Sequence, residues 1–300
     1  MRIQHRILIL ITALIFSGIA VVAFLRRTDN EKMNLLLENR LLEKDSAFDK
    51  IADLKSNSLF MITNYEYSIW DEMVNYVHEY SDSNFSVEKL EAKKDFETNS
   101  IDFLIPQYKF CGVWVYDLNF GCLYGINTYD SDSTSKIPLS RFELLKAFMV
   151  SNEGEGKYFT HFFIKLKTGD LMEVRGATIH GTLDSDRKDP PQGYFFTARL
   201  WNKSYLNELG TLNLAKISIS YDSTKYNKRI GVKEVVEDGT LVSSRNFKGY
   251  DGRVIAHSII SYPTSYYSQL SSTNKKVNWI FICFSALFLI LVVIAFMFWV

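Results

Sequence analysis

Two long apolar stretches bracket the chain and dominate its hydropathy pattern. The first covers residues 7–25 and the second residues 277–300, and neither contains a charged residue. A helix rises about 1.5 Å per residue and the hydrocarbon core of a bilayer is roughly 30 Å thick, so about 20 apolar residues are needed to cross it. Both stretches are long enough, and the pattern therefore predicts a transmembrane helix at each.

The first stretch has an alternative interpretation as a cleaved signal peptide, because Arg2 and Arg6 precede it and a basic start is typical of such peptides. The stretch is long for a signal-peptide core, and it ends at Arg26 and Arg27 without a small-x-small cleavage site. These features favour an uncleaved anchor. The second stretch has a Trp near each edge, as expected of a membrane helix with interfacial aromatic residues.

The basic residues indicate an orientation. Two Arg residues lie on each side of the first stretch, and the free amino terminus adds one more positive charge on the side of residues 1–6. Positive charge marks the cytoplasmic side, so residues 1–6 are expected there. Long segments cross membranes largely regardless of charge, and roughly 250 residues separate the two stretches. We therefore expect a two-pass protein of the inner (plasma) membrane, in contact with the lipid bilayer, whose central domain is extracytoplasmic.

A long membrane-proximal helix is predicted over residues 28–64, with Thr28 or Asp29 as its cap. Apolar positions recur at mostly helical spacing among charged residues, at Leu37, Leu41, Phe48, Ile51 and Leu59. Such a stripe can form a parallel homodimer, or it can pack against its own domain. The pattern leaves both alternatives open.

The central segment, residues 65–261, alternates between helical and extended patterns. Helices are predicted over residues 65–77, 86–104 (capped by Ser86), 138–150 (with Phe142, Leu145 and Met149 on its apolar side) and 203–212. Strands are predicted over residues 113–116, 122–126, 158–165, 171–180, 194–200, 216–221, 232–236, 240–247 and 254–261. Residues 262–276 form a linker to the second stretch. This order predicts an α+β fold, with the long helix preceding an antiparallel-sheet sensor domain of the PAS/Cache kind.

Charge and composition exclude some functions. Basic and acidic residues balance at 34 each, so no basic field attracts nucleic acid. His78, His161, His180 and His257 are scattered, and neither a Gly-x-Ser-x-Gly elbow nor a P-loop is present. We therefore expect no catalytic centre, no metal site and no cofactor. Residues 184–189, although rich in Asp, are expected to form a solvated loop.

The cysteines predict no disulfide. Cys111 and Cys122 flank a predicted hairpin turn at residues 117–121. Folding the strands about that turn brings Cys122 near Tyr116 and Cys111 near Ile126. The two Cα atoms would then be much further apart than the roughly 5.5 Å that a bridge needs, so we expect free, buried thiols.

Residues 67–74, Tyr-Ser-Ile-Trp-Asp-Glu-Met-Val, resemble the tryptophan–aspartate helix of the fourth class of CHASE domains. Residues 111–117 resemble the first hairpin strand of that family, residues 192–200 its glycine-to-arginine strand, and residues 251–256 a late turn and strand common in such sensors. The resemblance covers most of residues 65–215. It implies an extracellular sensor module of a histidine kinase or diguanylate cyclase, and we expect the output domain to follow the second stretch in a longer protein.

Seven side chains are candidates for binding the ligand of such a sensor. Trp70 offers area and an N–H donor and Asp71 a carboxylate; alternatively, Trp70 fills the core and Asp71 fixes a loop. Arg175 and Arg199 lie within strands, where a charge is costly unless paired, so each clamps a carboxylate or meets solvent or a salt-bridge partner. The remaining candidates, which line a pocket or belong to the sheet core, are Trp114, Tyr116 and Tyr194.

One departure from the family pattern concerns the pocket edge. Residues 175–179 read Arg-Gly-Ala-Thr-Ile where such proteins often have a Pro-Ile step. The ligand, a small molecule or a periplasmic protein, is not specified by these residues. A membrane-anchored adaptor or structural module that signals through a partner, without a small ligand, is the alternative function.

Overall fold

The computed structural model describes residues 2–81, 86–132, 136–150, 157–222 and 240–263, together with residues 279, 282, 283, 285–288, 290 and 294. The chain divides into two units. One comprises residues 1–48, 230–241 and 263–300, and the other comprises residues 49–229 and 242–262. The second unit contains all the described strands between residues 112 and 201.

Helix α1 covers Arg2–Met61 without interruption, so the predicted start at Thr28 is wrong. The Thr28 hydroxyl donates to the carbonyl of Phe24 at 3.1 Å, which satisfies it inside the helix instead of at a cap. Arg27 and Glu31 form an exposed ion pair at 3.1 Å across the same turn. With no helix-breaking residue at this point, the backbone stays helical through it.

Among the residues that the structure describes, no helix is both long enough and apolar enough to span a bilayer. Most of the predicted second span lies outside the described residues, as do the predicted strand at 232–236 and most of the linker at 262–276. The two-pass topology stays a prediction.

Helix α1 ends in a π-helical turn, Ile62–Glu66. Leu59, at the end of the predicted stripe, is fully buried in the core of its own chain. The helix predicted over 65–77 begins later, since α2 covers Asp71–Tyr80. Trp70 is extended (φ −154°, ψ 123°) and its amide donates to the His180 carbonyl at 3.1 Å, which stops the helix from starting earlier.

The remaining helices are α3 (Val87–Glu97), α4 (Leu104–Tyr108), α5 (Arg141–Val150) and α6 (Lys203–Asn213). Ser86 caps α3 as predicted, and its hydroxyl accepts from the Lys89 amide at 3.3 Å. The helix predicted to continue to residue 104 passes instead through a second π-helical turn, Thr98–Asp102.

The described strands form two sheets. They are β1 (Gly112–Tyr116), β2 (Cys122–Asn127), β3 (Phe159–Lys165), β4 (Leu171–Ile179), β5 (Gly193–Trp201), β6 (Lys216–Ser220), β7 (Thr240–Lys248) and β8 (Val254–Pro263). The first sheet has the order β2-β1-β5-β4-β3, and each neighbouring pair is antiparallel. The second has the order β6-β8-β7. The predicted α+β fold with an antiparallel sheet is confirmed.

The five-stranded sheet separates two apolar cores, because successive side chains of a strand point to opposite faces. Val113 and Phe195 belong to the core shared with the end of α1 and with α2. Trp114 and Phe196, which are register partners on β1 and β5, belong to the core shared with α5. The end of α1 and α2 therefore pack against one face of the sheet, and α5 packs against the other.

The buried face of α5 differs from the predicted one. The structure buries Leu144, Ala147 and Phe148, whereas Phe142 is 73% exposed and Met149 is 66% exposed. Both sets of residues recur at helical spacing, so the helix has two apolar faces and the period alone cannot choose between them.

The thiols are free, as predicted, but only one is fully buried. Cys111 is buried and Cys122 is half-buried. Cys122 pairs with Tyr116, as predicted. The carbonyl of Cys111 accepts from the Thr128 amide, so its predicted place near Ile126 is wrong. A bulge at the turn end of β1 shifts the register.

Candidate functional site

A cavity of about 390 Å³ lies between α5 and the connection that joins β4 to β5. We call it the α5 cavity. Its lining side chains come from α5, β4, β5 and the segments beside them, and they are Leu145, Phe148, Met149, Lys157, Tyr158, Thr178, Lys188, Asp189, Pro190, Pro191 and Tyr194.

Aromatic rings form part of the wall of the α5 cavity. The Tyr194 ring stacks on Phe120 with centroids 4.3 Å apart and contacts Phe148 at 5.1 Å. The Tyr158 ring meets His180 edge-on at 5.7 Å. Burial raises the pKa of Tyr194, so its phenol stays protonated and can donate a hydrogen bond. Such rings offer flat apolar area with a polar edge.

Charged groups of both signs lie at the rim of the α5 cavity. Lys157 is exposed, and its Nζ lies 5.0 Å from the Tyr158 ring centroid. Lys188 pairs with Asp186 at 2.8 Å, and both side chains are largely exposed. Asp189 is exposed and lines the cavity. Aromatic walls with a carboxylate and amines at the rim suit a small polar ligand that carries both charges.

The connection between β4 and β5, residues 180–192, is stabilised by its own hydrogen bonds. The Asp184 carboxylate accepts from the amides of Lys188 at 2.7 Å and Asp189 at 3.1 Å. It also lies 2.7 Å from Nδ1 of His180, whose pKa is lowered by burial despite this carboxylate. Asp184 thus has a loop-forming role. Across the described part of the chain, no group of three His, Cys, Asp or Glu residues is placed to hold a metal ion.

Arg187 lies in the same connection and is only 3% exposed. Its guanidinium donates to the main-chain carbonyls of Thr178 and Asn64, the latter at 2.5 Å. It also donates to the Ser68 hydroxyl at 2.7 Å and lies 4.7 Å from the ring centroid of Phe159. Burial lowers the pKa of Arg187 to about 10. These bonds tie the wall of the α5 cavity to the turn that ends α1.

Trp70 and Asp71 lie outside the α5 cavity, at the start of α2. Trp70 is half-buried and stacks on Phe96 with centroids 5.4 Å apart. Oδ1 of Asp71 accepts from the Thr182 amide at 2.8 Å. The structure places Trp70 in an aromatic cluster and Asp71 at an anchor of the β4–β5 connection, as in the structural alternative for these two residues.

The aromatic candidates separate into two groups. Trp114 and Tyr116 are fully buried in the core on the α5 side of the sheet. The Tyr116 hydroxyl accepts from the Ile137 amide at 3.2 Å. Tyr194 is half-buried and lines the α5 cavity, so it is the aromatic candidate that the structure brings to a site.

Arg175 lies on the opposite face of the sheet, in a buried polar cluster between β4 and α1. It donates to the Ser56 hydroxyl at 3.2 Å, and its Nε lies 3.7 Å from the Glu173 carboxylate. That carboxylate also accepts from Ser56 at 2.8 Å and from Nε1 of Trp201 at 2.9 Å. Burial by itself would raise the pKa of Glu173, but His161 and Arg175 hold it well below its usual range.

Arg199 lies on the neighbouring strand and also binds α1. It donates to the Lys55 carbonyl at 2.5 Å and to the Ser58 hydroxyl at 2.9 Å. It lines a second cavity, of about 490 Å³, formed by α1, the α4–β1 segment and α6. Tyr194 and Arg199 therefore line different cavities, and the structure does not gather the seven candidates into one site.

Arg187, Tyr158 and Lys157 are not among the candidate residues that the sequence predicts. Arg187 lies in a polar, proline-ended connection without hydrophobic periodicity, and burial of a cation runs against its usual preference. No local pattern distinguishes it from an exposed loop Arg. Tyr158 opens a predicted strand, where an aromatic residue is ordinary.

Several solved structures are similar to this chain. The periplasmic domain of Vibrio cholerae LuxQ is 11% identical, with a TM-score of 0.45 over 74% of this chain and 99% of that one. The extracellular domain of the proposed histidine kinase vpHK1S-Z8 is 14% identical, with a TM-score of 0.45 over 80% and 98%. The ligand-binding domain of the Pseudomonas aeruginosa PAO1 amino acid chemoreceptor PctC, in complex with GABA, is 13% identical, with a TM-score of 0.36 over 75% and 99%. At this level of similarity, the ligands of those proteins do not indicate what this chain binds.

No curated protein sequence matches this chain. The family comparison is more specific, since the CHASE4 domain matches residues 55–220. The matched range includes the end of α1, the whole five-stranded sheet and every lining residue of both cavities except Leu54. It also contains the tryptophan–aspartate segment and the first hairpin strand on which the sequence resemblance rested. Because this match covers more than half of the sequence, the chain belongs to the CHASE4 domain family of sensory domains.

Proposed function

We propose that this chain is the extracytoplasmic sensory region of a transmembrane receptor and that the α5 cavity binds its small-molecule ligand. Membership of the CHASE4 family supports the sensory role. The apolar stretches at 7–25 and 277–300 support anchoring on both sides of the domain. The output domain would be a histidine kinase or a diguanylate cyclase in a longer protein, and α1 would mediate a homodimer.

The observation that carries the proposal is the position of Arg187. Residues 188–191 line the α5 cavity, and Arg187, directly before them, donates to the Asn64 carbonyl at the end of α1. A ligand that favours one arrangement of residues 188–191 would thereby favour one position of the α1 end. The shift can be no larger than the difference in ligand affinity between the two arrangements.

The chemistry of the cavity favours a small zwitterion. Asp189 can accept from an ammonium group, Lys157 can pair with a carboxylate, and Tyr194 can cover an apolar portion. Amino acids and related small amines are therefore the first ligands to test.

The adaptor function is the second candidate, and the exposed apolar face of α5 favours it. Phe142 and Met149, which lie on the same side of α5, are mostly exposed. Large exposed apolar side chains on one surface are typical of protein contact sites. An adaptor would bind a partner protein there and need no small ligand.

A thermal-shift screen of the purified full chain in detergent, with amino acids, carboxylates and polyamines, tests the proposal. We expect one class to raise the melting temperature in a saturable way. Asp189→Asn and Tyr194→Ala should each weaken binding about tenfold or more, since each removes one charged or aromatic contact. Glu91→Gln, which removes an exposed carboxylate that does not line the cavity, is the control. No shift with any ligand would favour the adaptor.

The relay through Arg187 has its own test. Arg187→Lys keeps a positive charge but replaces the planar guanidinium, whose several N–H groups bind different acceptors at once, with a single ammonium group. We expect it to bind ligand with similar affinity while the ligand no longer changes amide hydrogen exchange at residues 62–68. If the ligand changed exchange at residues 62–68 in Arg187→Lys as much as in the unmodified chain, the relay would be contradicted.

A further inference from the structure

The second cavity lies where β5 leads into α6, and its volume is about 490 Å³. We call it the α6 cavity. Its walls come from α1, the segment between α4 and β1, and the first turns of α6. It shares no lining residue with the α5 cavity.

Positive charge is in excess in the α6 cavity. Lys55, Lys109 and Arg199 line it, against the single carboxylate of Glu208 among the described lining residues. Arg199 is 7% exposed and is held by the Lys55 carbonyl and the Ser58 hydroxyl, so its charge has a fixed position. The wall therefore attracts anions.

Glu208 already makes the contact that a ligand carboxylate would make. It pairs with Lys55, and the two side chains are 41% and 37% exposed. The hydrogen bond from Lys55, with the charges of Lys109 and Arg199, lowers the pKa of Glu208. An exposed ion pair contributes little to stability, so an incoming carboxylate can displace it.

The cavity also contains an unsatisfied polar atom. The Tyr205 hydroxyl is buried and has no hydrogen-bond partner among the described residues. The Arg199 guanidinium carbon lies 5.4 Å from the centroid of the Tyr205 ring. A buried hydroxyl without a partner costs free energy, and a ligand oxygen beside Arg199 would satisfy it.

We infer that the α6 cavity binds a small organic polycarboxylate, one carboxylate of which replaces Glu208 at Lys55 while another lies near Arg199 and the Tyr205 hydroxyl. Lys55 belongs to α1 and Glu208 to α6, so binding exchanges a contact between these helices for contacts to the ligand. This site does not depend on the α5 cavity and would give the domain a second ligand.

Calorimetric titration of the purified full chain with citrate and succinate, at constant ionic strength with chloride as the balancing anion, tests the inference. We expect saturable citrate binding. Lys109→Gln should weaken it about tenfold, because one of the three cations that line the cavity is lost. Glu208→Gln should tighten it several-fold, because the competing carboxylate is gone. Both side chains are partly or fully exposed, so both variants should fold.

Two controls assign the binding to the α6 cavity. Lys203→Ala removes an exposed lysine of α6 that does not line the cavity, and Tyr194→Ala alters the α5 cavity. Both should bind citrate like the unmodified chain. Absence of saturable heat, equal losses in Lys109→Gln and Lys203→Ala, or loss of binding in Tyr194→Ala would each overturn the inference.

Discussion

The Arg187 guanidinium donates a 2.5 Å hydrogen bond to the main-chain carbonyl of Asn64, across 123 positions of the sequence. It thereby joins the β4–β5 connection to the π-helical turn that ends α1. Its other acceptors are the carbonyl and the hydroxyl of Thr178 and the Ser68 hydroxyl. A buried cation is costly unless polar atoms surround it, so these oxygens determine where the connection lies.

Replacing Arg187 should therefore destabilise the domain. Arg187→Met leaves two carbonyls and a hydroxyl buried without their donor, and we expect the free energy of unfolding to fall by about 3 kcal/mol. Lys188→Met is the matched control, because the Lys188 side chain is mostly exposed and pairs with the exposed Asp186, and its effect should stay within about 0.5 kcal/mol. Urea denaturation followed by circular dichroism measures both. Equal effects would mean that the buried bonds contribute little.

Glu173 should make stability depend on acid pH. Its pKa is depressed in the folded state, so below the ordinary Glu value of about 4.3 the unfolded chain binds a proton that the folded chain does not. Stability supplied by Glu173 is present above that pH and falls, by up to about 1.4 kcal/mol per unit, as the pH drops towards the folded pKa.

Denaturation of Glu173→Gln between pH 3 and pH 7 tests this dependence. We expect a loss of about 3–5 kcal/mol at pH 7, because Arg175 keeps its charge in a buried site without its partner. The acid slope should decrease by about one proton relative to the unmodified chain. The exposed Glu91→Gln should leave both the stability at pH 7 and the slope almost unchanged. An unaltered slope in Glu173→Gln would assign the acid sensitivity to other groups.

Tyr116 should contribute to stability and not to ligand affinity. Tyr116→Phe removes the acceptor of the buried Ile137 amide, which should cost about 1–2 kcal/mol. Affinity for any ligand of the α5 cavity should stay within about twofold, whereas Tyr194→Phe, at the cavity wall, should weaken ligands that accept from its phenol. Denaturation and calorimetry separate the two effects. A large loss of ligand affinity in Tyr116→Phe would mean that Tyr116 contributes to the binding site.

Asp71 should hold the β4–β5 connection in place. Asp71→Ala removes the acceptor of the Thr182 amide, and we expect faster hydrogen exchange at Thr182 with a stability loss of about 1 kcal/mol. Glu72→Ala removes an adjacent exposed carboxylate of the same helix turn and is the matched control. Exchange measured by mass spectrometry distinguishes them. Equal protection of Thr182 in both variants would argue against the anchor.

Features that depend on neighbouring residues could be predicted from the sequence. The Ser86 cap needs only its own hydroxyl and an amide three residues later. The strands of the five-stranded sheet follow from a period of two and from turn residues between them. The order of these elements, with the tryptophan–aspartate segment, was sufficient to indicate the family.

Features that depend on distant residues could not be predicted. The start of α2 is set by a bond from Trp70 to His180, and the buried face of α5 is set by the sheet that covers it. Arg175 and Arg199 lie in similar strands and have similar local patterns, yet one belongs to a closed polar cluster and the other lines a cavity.

The sequence by itself determined the class of fold, the order of its elements, the apolar stretches at either end and the family, because each rests on local periodicity or on a short ordered motif. Only the tertiary structure decided which side chains form a site. A cavity is made by residues far apart in the chain, such as Tyr158 and Tyr194, and by backbone atoms such as the Asn64 carbonyl that binds Arg187. Every residue carries the same main-chain carbonyl, so the amino-acid sequence does not indicate which carbonyl will bind a distant side chain. Only the packing of the chain shows this.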